Sequence, residues 1–308
     1  MSTRTRLRLG TRSSPLARWQ AEWVAARLAE LEVDVEFVFI STQGDVRSGP
    51  IGNIGGQGVF TKEIQRALLA NEIDLAVHSL KDLPTEPVDG LALAAVPPRE
   101  VCGDALVTND YANLDELPAG ALVGTGSLRR QAQLLHARPD LRVADIRGNV
   151  ETRLRKLDDG EYQAIILAEA GLTRLELTER IRQTLPKSTM LPAVGQGALG
   201  LETRADDSRA MDALAPLNDP ATRAAVIAER SLLATLRGGC LAPVGAWGRF
   251  ENDRLHLDAV VLSRDGRERL FVADSAPESQ AETLGRAAAE ALLEQGAAQL
   301  IANSRENS

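Results

Sequence analysis

The 308-residue chain has few of the residues on which several classes of protein depend. Its two cysteines, Cys102 and Cys240, are too few for a disulfide framework. Its three histidines, His78, His136 and His256, lie far apart, so we expect no metal site. No apolar run approaches the ~20 residues of a membrane span, and no apolar segment of a secretory signal follows the basic N-terminus. These absences predict a soluble cytoplasmic protein with no membrane partner.

The charge and the aromatic content argue against a nucleic-acid partner. The formal net charge is −8 at pH 7, and aromatic residues make up 3% of the chain. Binding of nucleic acid needs a positive surface and, for single strands, aromatic rings on which bases stack. Only four of the 35 basic residues are lysines, and the planar guanidinium of arginine suits carboxylate or phosphate. The composition therefore leaves room for a local basic cleft that suits carboxylate or phosphate groups.

Strand and helix patterns alternate through the first 98 residues and again over 103–192, which predicts two α/β lobes with mostly parallel sheets. Residues 97–104 and 191–202 are predicted to be crossovers between them. The chain is expected to re-enter the first lobe over 198–218, which makes that domain discontinuous. A cleft between two lobes is a common place for a ligand.

The remaining segments differ in pattern. Six glycines over 43–58 predict a long loop. Residues 219–308 predict a third, α+β domain. Within it we expect a hairpin turn at 264–266 and one long alanine-rich helix over 279–302.

Polar side chains follow one of the predicted strands in HSLKDLP, residues 78–84. Ligands of parallel sheets bind at this carboxyl edge, and the adjacent Lys81 and Asp82 could act as a general acid/base pair. Taken alone, the segment is more often a solvated turn.

Three predicted helix starts combine hydroxyl groups with arginines: GTRSSPLARWQ (10–20), GTGSLRR (124–130) and RGNVETRLRK (147–156). Free N–H groups at a helix start and guanidinium groups both bind anions. One such start is more often a capped, solvated helix, but three predict a ligand with several carboxylates or phosphates. None has the spacing of a phosphate-binding P-loop.

Cys240 lies in RGGCLAP, just after a predicted helix. A free cysteine is most often a small buried hydrophobe. Gly238 and Gly239 permit unusual backbone and close approach, so an accessible nucleophile is also plausible. Cys102 has no such setting.

Taken together, eight motifs between residues 10 and 245 resemble the porphobilinogen deaminase (hydroxymethylbilane synthase) family, in the family's order. They are GTRSSPLARWQ, QGD (43–45), VHSLKDLP, GTGSLRRQAQL, DIRGNVETRL, AIILAEAGLTRL, LPAVGQGALG and RGGCLAPVG.

The resemblance implies an α/β fold of two periplasmic-binding-protein-like lobes with a cleft between them, plus a C-terminal α+β domain. It implies a monomeric cytoplasmic transferase of tetrapyrrole (haem) biosynthesis. That enzyme condenses four molecules of its substrate porphobilinogen into linear hydroxymethylbilane and releases four ammonia. Its dipyrromethane cofactor is joined by a thioether to the cysteine that falls on Cys240.

The resemblance also implies roles for individual residues. The implied catalytic residues are Asp82 and Lys81. The implied cofactor-binding residues are Cys240, Arg129, Arg130, Ser127, Lys81, Asp82, Thr125 and Arg147. The implied substrate-binding residues are Arg12, Ser14, Arg147, Arg153, Arg174 and Gln196. Asn53 and Gln57 stand in the glycine-rich loop where the family often has lysines, which questions electrostatic help from that loop.

Two other functions compete with the enzyme. A non-catalytic anion-binding protein could have the same two-lobed architecture, but a simple binder has no need for GGC in a third domain. A nucleic-acid binder is opposed by the net charge of −8. We therefore predict the enzyme.

Overall fold

The computed structural model describes residues 5–42, 61–239 and 242–306. The glycine-rich stretch over 43–58, with Asn53 and Gln57, and the cysteine Cys240 lie outside the described residues. The strands are β1 (Thr5–Thr11), β2 (Val33–Phe39), β3 (Leu75–Ser79), β4 (Leu91–Ala95), β5 (Asp104–Val107), β6 (Leu122–Gly124), β7 (Arg142–Ala144), β8 (Ala164–Ala168), β9 (Gln183–Thr184), β10 (Leu199–Arg204), β11 (Val244–Glu251), β12 (Arg254–Leu262) and β13 (Arg269–Ala276). The helices are α1 (Pro15–Glu30), α2 (Lys62–Leu69), α3 (Leu128–Ala137), α4 (Val150–Asp158), α5 (Glu169–Arg174), α6 (Ser208–Leu214), α7 (Pro220–Thr235), α8 (Ala281–Glu294) and α9 (Ala297–Glu306).

The chain divides into two compact units. The first unit contains residues 1–99 and 198–223, and the second unit contains residues 100–197 and 224–308. The domain boundaries inferred from the sequence, at 98, 103, 192, 198 and 218, stay predictions.

The first unit is built on a five-stranded sheet in the order β2-β1-β3-β10-β4. β1 is parallel to β2 and β3, whereas β10 is antiparallel to both β3 and β4. The prediction that 191–202 is a crossover along its whole length is wrong, because Leu199 and the residues after it form strand β10 inside the sheet. α1 starts with Pro15, whose missing N–H costs nothing in a first turn, and packs Val24 and Leu28 into the core of the unit.

The second unit begins with another five-stranded sheet, in the order β7-β6-β8-β5-β9. β6, β7 and β8 are parallel, and β5 runs antiparallel to β8. One hydrophobic cluster contains Leu106 and Ile166, and a second contains Ala105 and Ile165. Successive side chains of a strand point to opposite faces, so this sheet is buried on both faces. The last residue of the predicted crossover over 97–104 lies in a strand, since Asp104 is the first residue of β5.

The last part of the second unit is a three-stranded antiparallel sheet, β11-β12-β13, packed against α7, α8 and α9. The predicted turn at 264–266 is confirmed, and Gly266 supplies its positive φ of 74°. The prediction of one helix over 279–302 is wrong. The chain breaks at Gly296, whose φ of +105° is incompatible with a continuous right-handed helix, and α8 and α9 are separate.

These sheets confirm the α/β class with an added α+β part. No helix within the described ranges is long and apolar enough to cross a membrane.

Candidate active site

The first unit has a polar pocket at the carboxyl ends of β1 and β3. Arg12 follows β1 directly, and Asp82 lies in a short 3₁₀ turn, Leu80–Asp82, that follows β3. Parallel strands end at the same edge of a sheet, which brings the two residues to one place. The pocket is lined by Arg12, Ser14, Leu16, Ala17, Gln20, Thr61, Ile64, Val77, His78, Ser79 and Asp82. Arg12, Ser14 and Asp82 thus border one pocket, and Lys81 lies in the same turn as Asp82.

Hydrogen bonds hold the wall of this pocket. The buried Gln20 side chain donates from Nε2 to Ser79 Oγ at 2.8 Å. Behind the wall, His78 Nε2 lies 3.0 Å from Glu202 Oε2, and Gln65 Nε2 donates to Glu202 Oε1 at 3.0 Å. All three of these side chains are buried, so the wall next to Asp82 is fixed before a ligand arrives.

The second unit contains a buried cluster of arginines around Asp104. Arg129 donates from both Nη atoms to the two carboxylate oxygens of Asp104, at 2.6 and 3.2 Å. Arg130 donates from Nε to Asp104 Oδ1 at 2.8 Å and from Nη1 to the carbonyl of Ile166. Both arginines start α3, where Ser127 caps the helix by accepting from Arg130 N. One carboxylate faces two guanidinium groups, so this cluster keeps one surplus positive charge.

Burial and charge together set the pKa values in the cluster. Burial by itself would raise the pKa of Asp104, but the charges of Arg129 and Arg130 outweigh it and hold that pKa well below its usual range. Burial lowers the pKa of Arg130, against the attraction of Asp104. Burial also lowers the pKa of Arg174 to about 10, with Glu100 opposing the shift. These shifts leave the groups charged at neutral pH.

The turn over 195–197, which has a glycine at each end, connects the cluster to Arg174. Gln196 donates from Nε2 to Asp104 Oδ1 at 3.1 Å and to the carbonyl of Gly103 at 3.0 Å. Arg174 donates from Nη2 to the carbonyl of Gly197 at 2.7 Å. The structure therefore brings Arg129, Arg130, Gln196 and Arg174 into one network in the second unit.

The other predicted residues of the second unit lie at helix starts. Thr125 is buried, and its Oγ1 accepts from Ser127 N at 3.3 Å. Arg147 donates from Nε to Asp145 Oδ2 at 2.7 Å. Arg153 donates from Nε to the carbonyl of Gly148 at 2.8 Å. Arg147 keeps about a third of its side chain exposed, so it is open to a ligand in a way that Arg129 is not.

Sequence reasoning missed two buried carboxylates. Asp104 falls at the end of the predicted crossover over 97–104, although an aspartate that opens the apolar run ALV is an unusual start for a buried strand. Glu229 was not singled out either. It lies between Ala225 and Leu232 on the apolar face of α7, and a charge on such a face was the available signal.

Two family models match this chain. The model described as "Porphobilinogen deaminase, dipyromethane cofactor binding domain" matches residues 7–212, and "Porphobilinogen deaminase, C-terminal domain" matches residues 223–294. The chain belongs to the porphobilinogen deaminase family. A porphobilinogen deaminase of Desulforudis audaxviator is 52% identical over 300 residues, 96% of this chain and 97% of the relative. One of Syntrophotalea carbinolica is 49% identical over 299 residues, 96% of this chain and 95% of the relative.

Solved structures of another kind are only distantly similar. The crystal structure of the methionine-binding protein MetQ covers 69% of this chain and 89% of its own, with 16% identity and a TM-score of 0.45. As a porphobilinogen deaminase family member, the protein is a transferase that works with a dipyrromethane cofactor.

The arginine cluster fits that cofactor. A dipyrromethane made of two porphobilinogen units carries several carboxylates. The cluster has a surplus positive charge, and the buried Arg129 Nε has no hydrogen-bond partner among the described residues. A buried donor without an acceptor is costly, and a ligand carboxylate would satisfy it.

Proposed function

We propose that this porphobilinogen deaminase carries out its reaction with Asp82 as the catalytic carboxylate and with Cys240 as the attachment point of the cofactor. The enzyme is a hydroxymethylbilane synthase. It condenses four porphobilinogen molecules head to tail and releases four ammonia. The observation that carries the proposal is the pocket that Asp82 shares with Arg12, because it combines an anion for a developing cation with a cation for a substrate carboxylate.

Asp82 stabilises positive charge on the substrate. Porphobilinogen loses ammonia from its aminomethyl arm, which leaves a cation delocalised over the pyrrole ring. A half-buried carboxylate at the pocket wall stabilises that cation, and then the cation that remains after the new carbon–carbon bond forms, until the ring proton departs. Lys81, in the same turn, exchanges protons with the departing amine.

Arg12 and Ser14 bind the substrate in this pocket. Each porphobilinogen carries an acetate and a propionate group, so its binding needs donors of fixed geometry. Arg12 supplies a planar guanidinium, and Ser14 supplies a hydroxyl group directly before α1. We assign Arg147, Arg153, Arg174 and Gln196 to further substrate carboxylates.

The arginine cluster of the second unit holds the cofactor. Arg129, Arg130, Ser127, Thr125 and Arg147, with Lys81 and Asp82, are the residues that we assign to it. When bound, the dipyrromethane supplies the pyrrole carbon that receives the first substrate unit. The surplus charge of the cluster and the free Arg129 Nε support this assignment.

The intact mass of the denatured protein tests the proposed thioether. The wild-type chain should carry an excess equal to two porphobilinogen units less two ammonia, and Cys240→Ser should carry none. Cys102→Ser is the matched control and should keep the excess. A bare wild-type chain that stays bare after incubation with porphobilinogen would contradict the proposal.

The same proposal includes a cytoplasmic monomer that needs no membrane or nucleic-acid partner. Sedimentation equilibrium of the purified enzyme tests the oligomeric state, and a dimer mass would contradict this part alone.

A further inference from the structure

Glu229 is a carboxylate without any exposed surface, on helix α7 of the second unit. Its Oε2 accepts from Gly195 N at 2.7 Å, and its Oε1 accepts from Gly248 N at 2.8 Å. One side chain thus joins three segments: α7, strand β11 and the turn before β10. A buried carboxylate bonded to backbone N–H groups is costly to keep unless those bonds are made.

A close contact between backbones lets Glu229 reach β11. A Cβ atom at Gly248 would lie 2.7 Å from the carbonyl oxygen of Ala225, so only glycine allows this approach of β11 to α7. Ala225 and Glu229 are four residues apart and lie on one face of the helix. The glycine therefore places Gly248 N within reach of the Glu229 carboxylate.

The other bond of Glu229 holds a turn with unusual backbone. Gly195 and Gly197 have φ values of 71° and 84°. A Cβ at Gly197 would lie 2.5 Å from the carbonyl oxygen of Glu100, which shows how tightly the turn is packed. Gln196 lies between the two glycines, and its side-chain direction depends on their conformation.

This turn contacts two of the arginines that we assign to carboxylates. Gln196 donates to Asp104 Oδ1, and its Oε1 lies 3.5 Å from Arg130 Nη2. The carbonyl of Gly197 accepts from Arg174 Nη2 at 2.7 Å. A shift of the turn would move acceptors that orient both guanidinium groups.

We propose that Glu229 is a positioning residue of the porphobilinogen deaminase reaction. Its two N–H···O bonds hold the turn over 195–197, and through Gln196 and Gly197 they keep Arg130 and Arg174 in the orientation that binds ligand carboxylates. This inference rests on the carboxylate-binding role proposed above for those arginines.

Glu229→Gln tests the inference, because an amide has one acceptor oxygen where the carboxylate has two. One of the two backbone N–H groups then faces an NH₂ donor. The KM for porphobilinogen should rise about tenfold, with kcat per cofactor-loaded enzyme changed by less than about threefold, since a misplaced Arg174 weakens substrate binding and Asp82 is untouched. Glu229→Asp keeps the charge but is one methylene shorter, and it should raise KM in the same direction.

Two controls separate positioning from a loss of stability. Leu292→Ala removes side-chain atoms from the same C-terminal core and no hydrogen-bonding group of the turn, so it should lower Tm and leave KM unchanged. Glu290→Gln makes the same chemical change at an exposed position of α8 and should alter neither. An unchanged KM in Glu229→Gln, or an equal rise in Leu292→Ala, overturns the inference.

Two further measurements complete the test. If neither Glu229 variant folds, amide exchange in the wild-type enzyme decides: the Gly195 N–H should exchange slowly, and fast exchange overturns the inference. Arg174→Gln tests the underlying role separately. A normal KM in Arg174→Gln would refute the proposed function of that arginine, whereas a raised KM there with a normal KM in Glu229→Gln would refute the positioning role alone.

Discussion

Arg129 and Arg130 carry two positive charges into the interior of the second unit, where Asp104 compensates one of them. Both arginines are more than nine-tenths buried. Burying a charge costs several kcal/mol unless it is paired, so the uncompensated charge of this cluster lowers the free energy of unfolding. The carboxylates of the proposed cofactor would offset part of that cost, which supports our assignment of the cluster to binding.

Asp104→Asn should be strongly destabilising at neutral pH. It leaves two buried guanidinium groups without their carboxylate, and removal of one partner of a buried pair costs about 3 to 5 kcal/mol in the free energy of unfolding. Asp158→Asn, which breaks the exposed Arg180–Asp158 pair, should cost less than about 1 kcal/mol. Urea denaturation of both variants measures the difference, and equal losses would contradict the role of Asp104.

The contribution of Asp104 to the free energy of unfolding should also decrease as the pH falls. Its folded-state pKa is depressed, so its contribution to stability is complete above the unfolded pKa of about 4 and is lost as pH falls toward the folded value. The gap in unfolding free energy between wild type and Asp104→Asn should therefore stay constant from neutral pH to about pH 5 and shrink below about pH 4. A gap that widens in acid would refute this interpretation.

Asp82→Asn should stop turnover while leaving the cofactor in place. The amide keeps the shape of the side chain but loses the negative charge that stabilises the substrate cation. We expect kcat to fall at least about a hundredfold, with little change in KM. Steady-state kinetics and the intact mass check the two parts. Asp89→Asn makes the same change at an exposed position of the first unit and serves as the control. Normal turnover in Asp82→Asn would contradict the role of Asp82 as the catalytic carboxylate.

At the scale of elements, glycines allow two backbone segments to approach each other more closely than a side chain would permit. Gly197→Ala should destabilise the enzyme and raise its KM, because the new Cβ meets the carbonyl oxygens of Glu100 and Val101 at 2.5 and 2.9 Å in a left-handed conformation. Gly160→Ala has a similar φ of +78° and no atom within 4 Å of the new Cβ. It should cost only the conformational strain, about 1 to 2 kcal/mol, with KM unchanged. Thermal unfolding measures the Tm of the two variants, and steady-state kinetics measures their KM. Equal losses of Tm would contradict the predicted clash at Gly197.

The elements with strong periodicity could be predicted from the sequence. The alternation of Val33, Val35 and Phe37 is typical of a strand and coincides with β2, and the helix start predicted in GTRSSPLARWQ is confirmed by α1. β10 could not be found, because glycines at 195 and 197 precede it and conceal the start of a strand. The break at Gly296 was missed because the alanines on both sides favour helix, and only the φ of that glycine separates α8 from α9.

The candidate site could be predicted by residue type but not by partner. The arginines at helix starts were visible as motifs, whereas their carboxylate, Asp104, is about 25 residues away in the chain. Pairing over that distance depends on the order of strands in the sheet, which local patterns do not contain. Glu229 has the same difficulty, since its partners Gly195 and Gly248 are brought to it by packing.

At the scale of the whole molecule, the two units have separate hydrophobic cores. Leu75→Ala removes atoms from the core of the first unit, and Leu257→Ala does the same in the second. Each should cost about 2 to 5 kcal/mol. Hydrogen exchange followed by mass spectrometry should show faster exchange mainly in the mutated unit. Equal acceleration in both units by either variant would mean that the molecule unfolds as one cooperative body.

β10 has a consequence for the order in which the protein is made. When the ribosome has delivered residue 197, the first sheet still lacks the strand that lies between β3 and β4. Both of those strands then present unpaired edges, which are templates for aggregation. The sheet formed by β5–β9 is already complete at that moment. Synthesis therefore completes the sheet of β5–β9 before the N-terminal sheet, and β3 and β4 keep their unpaired edges until Arg204, the last residue of β10, has been added.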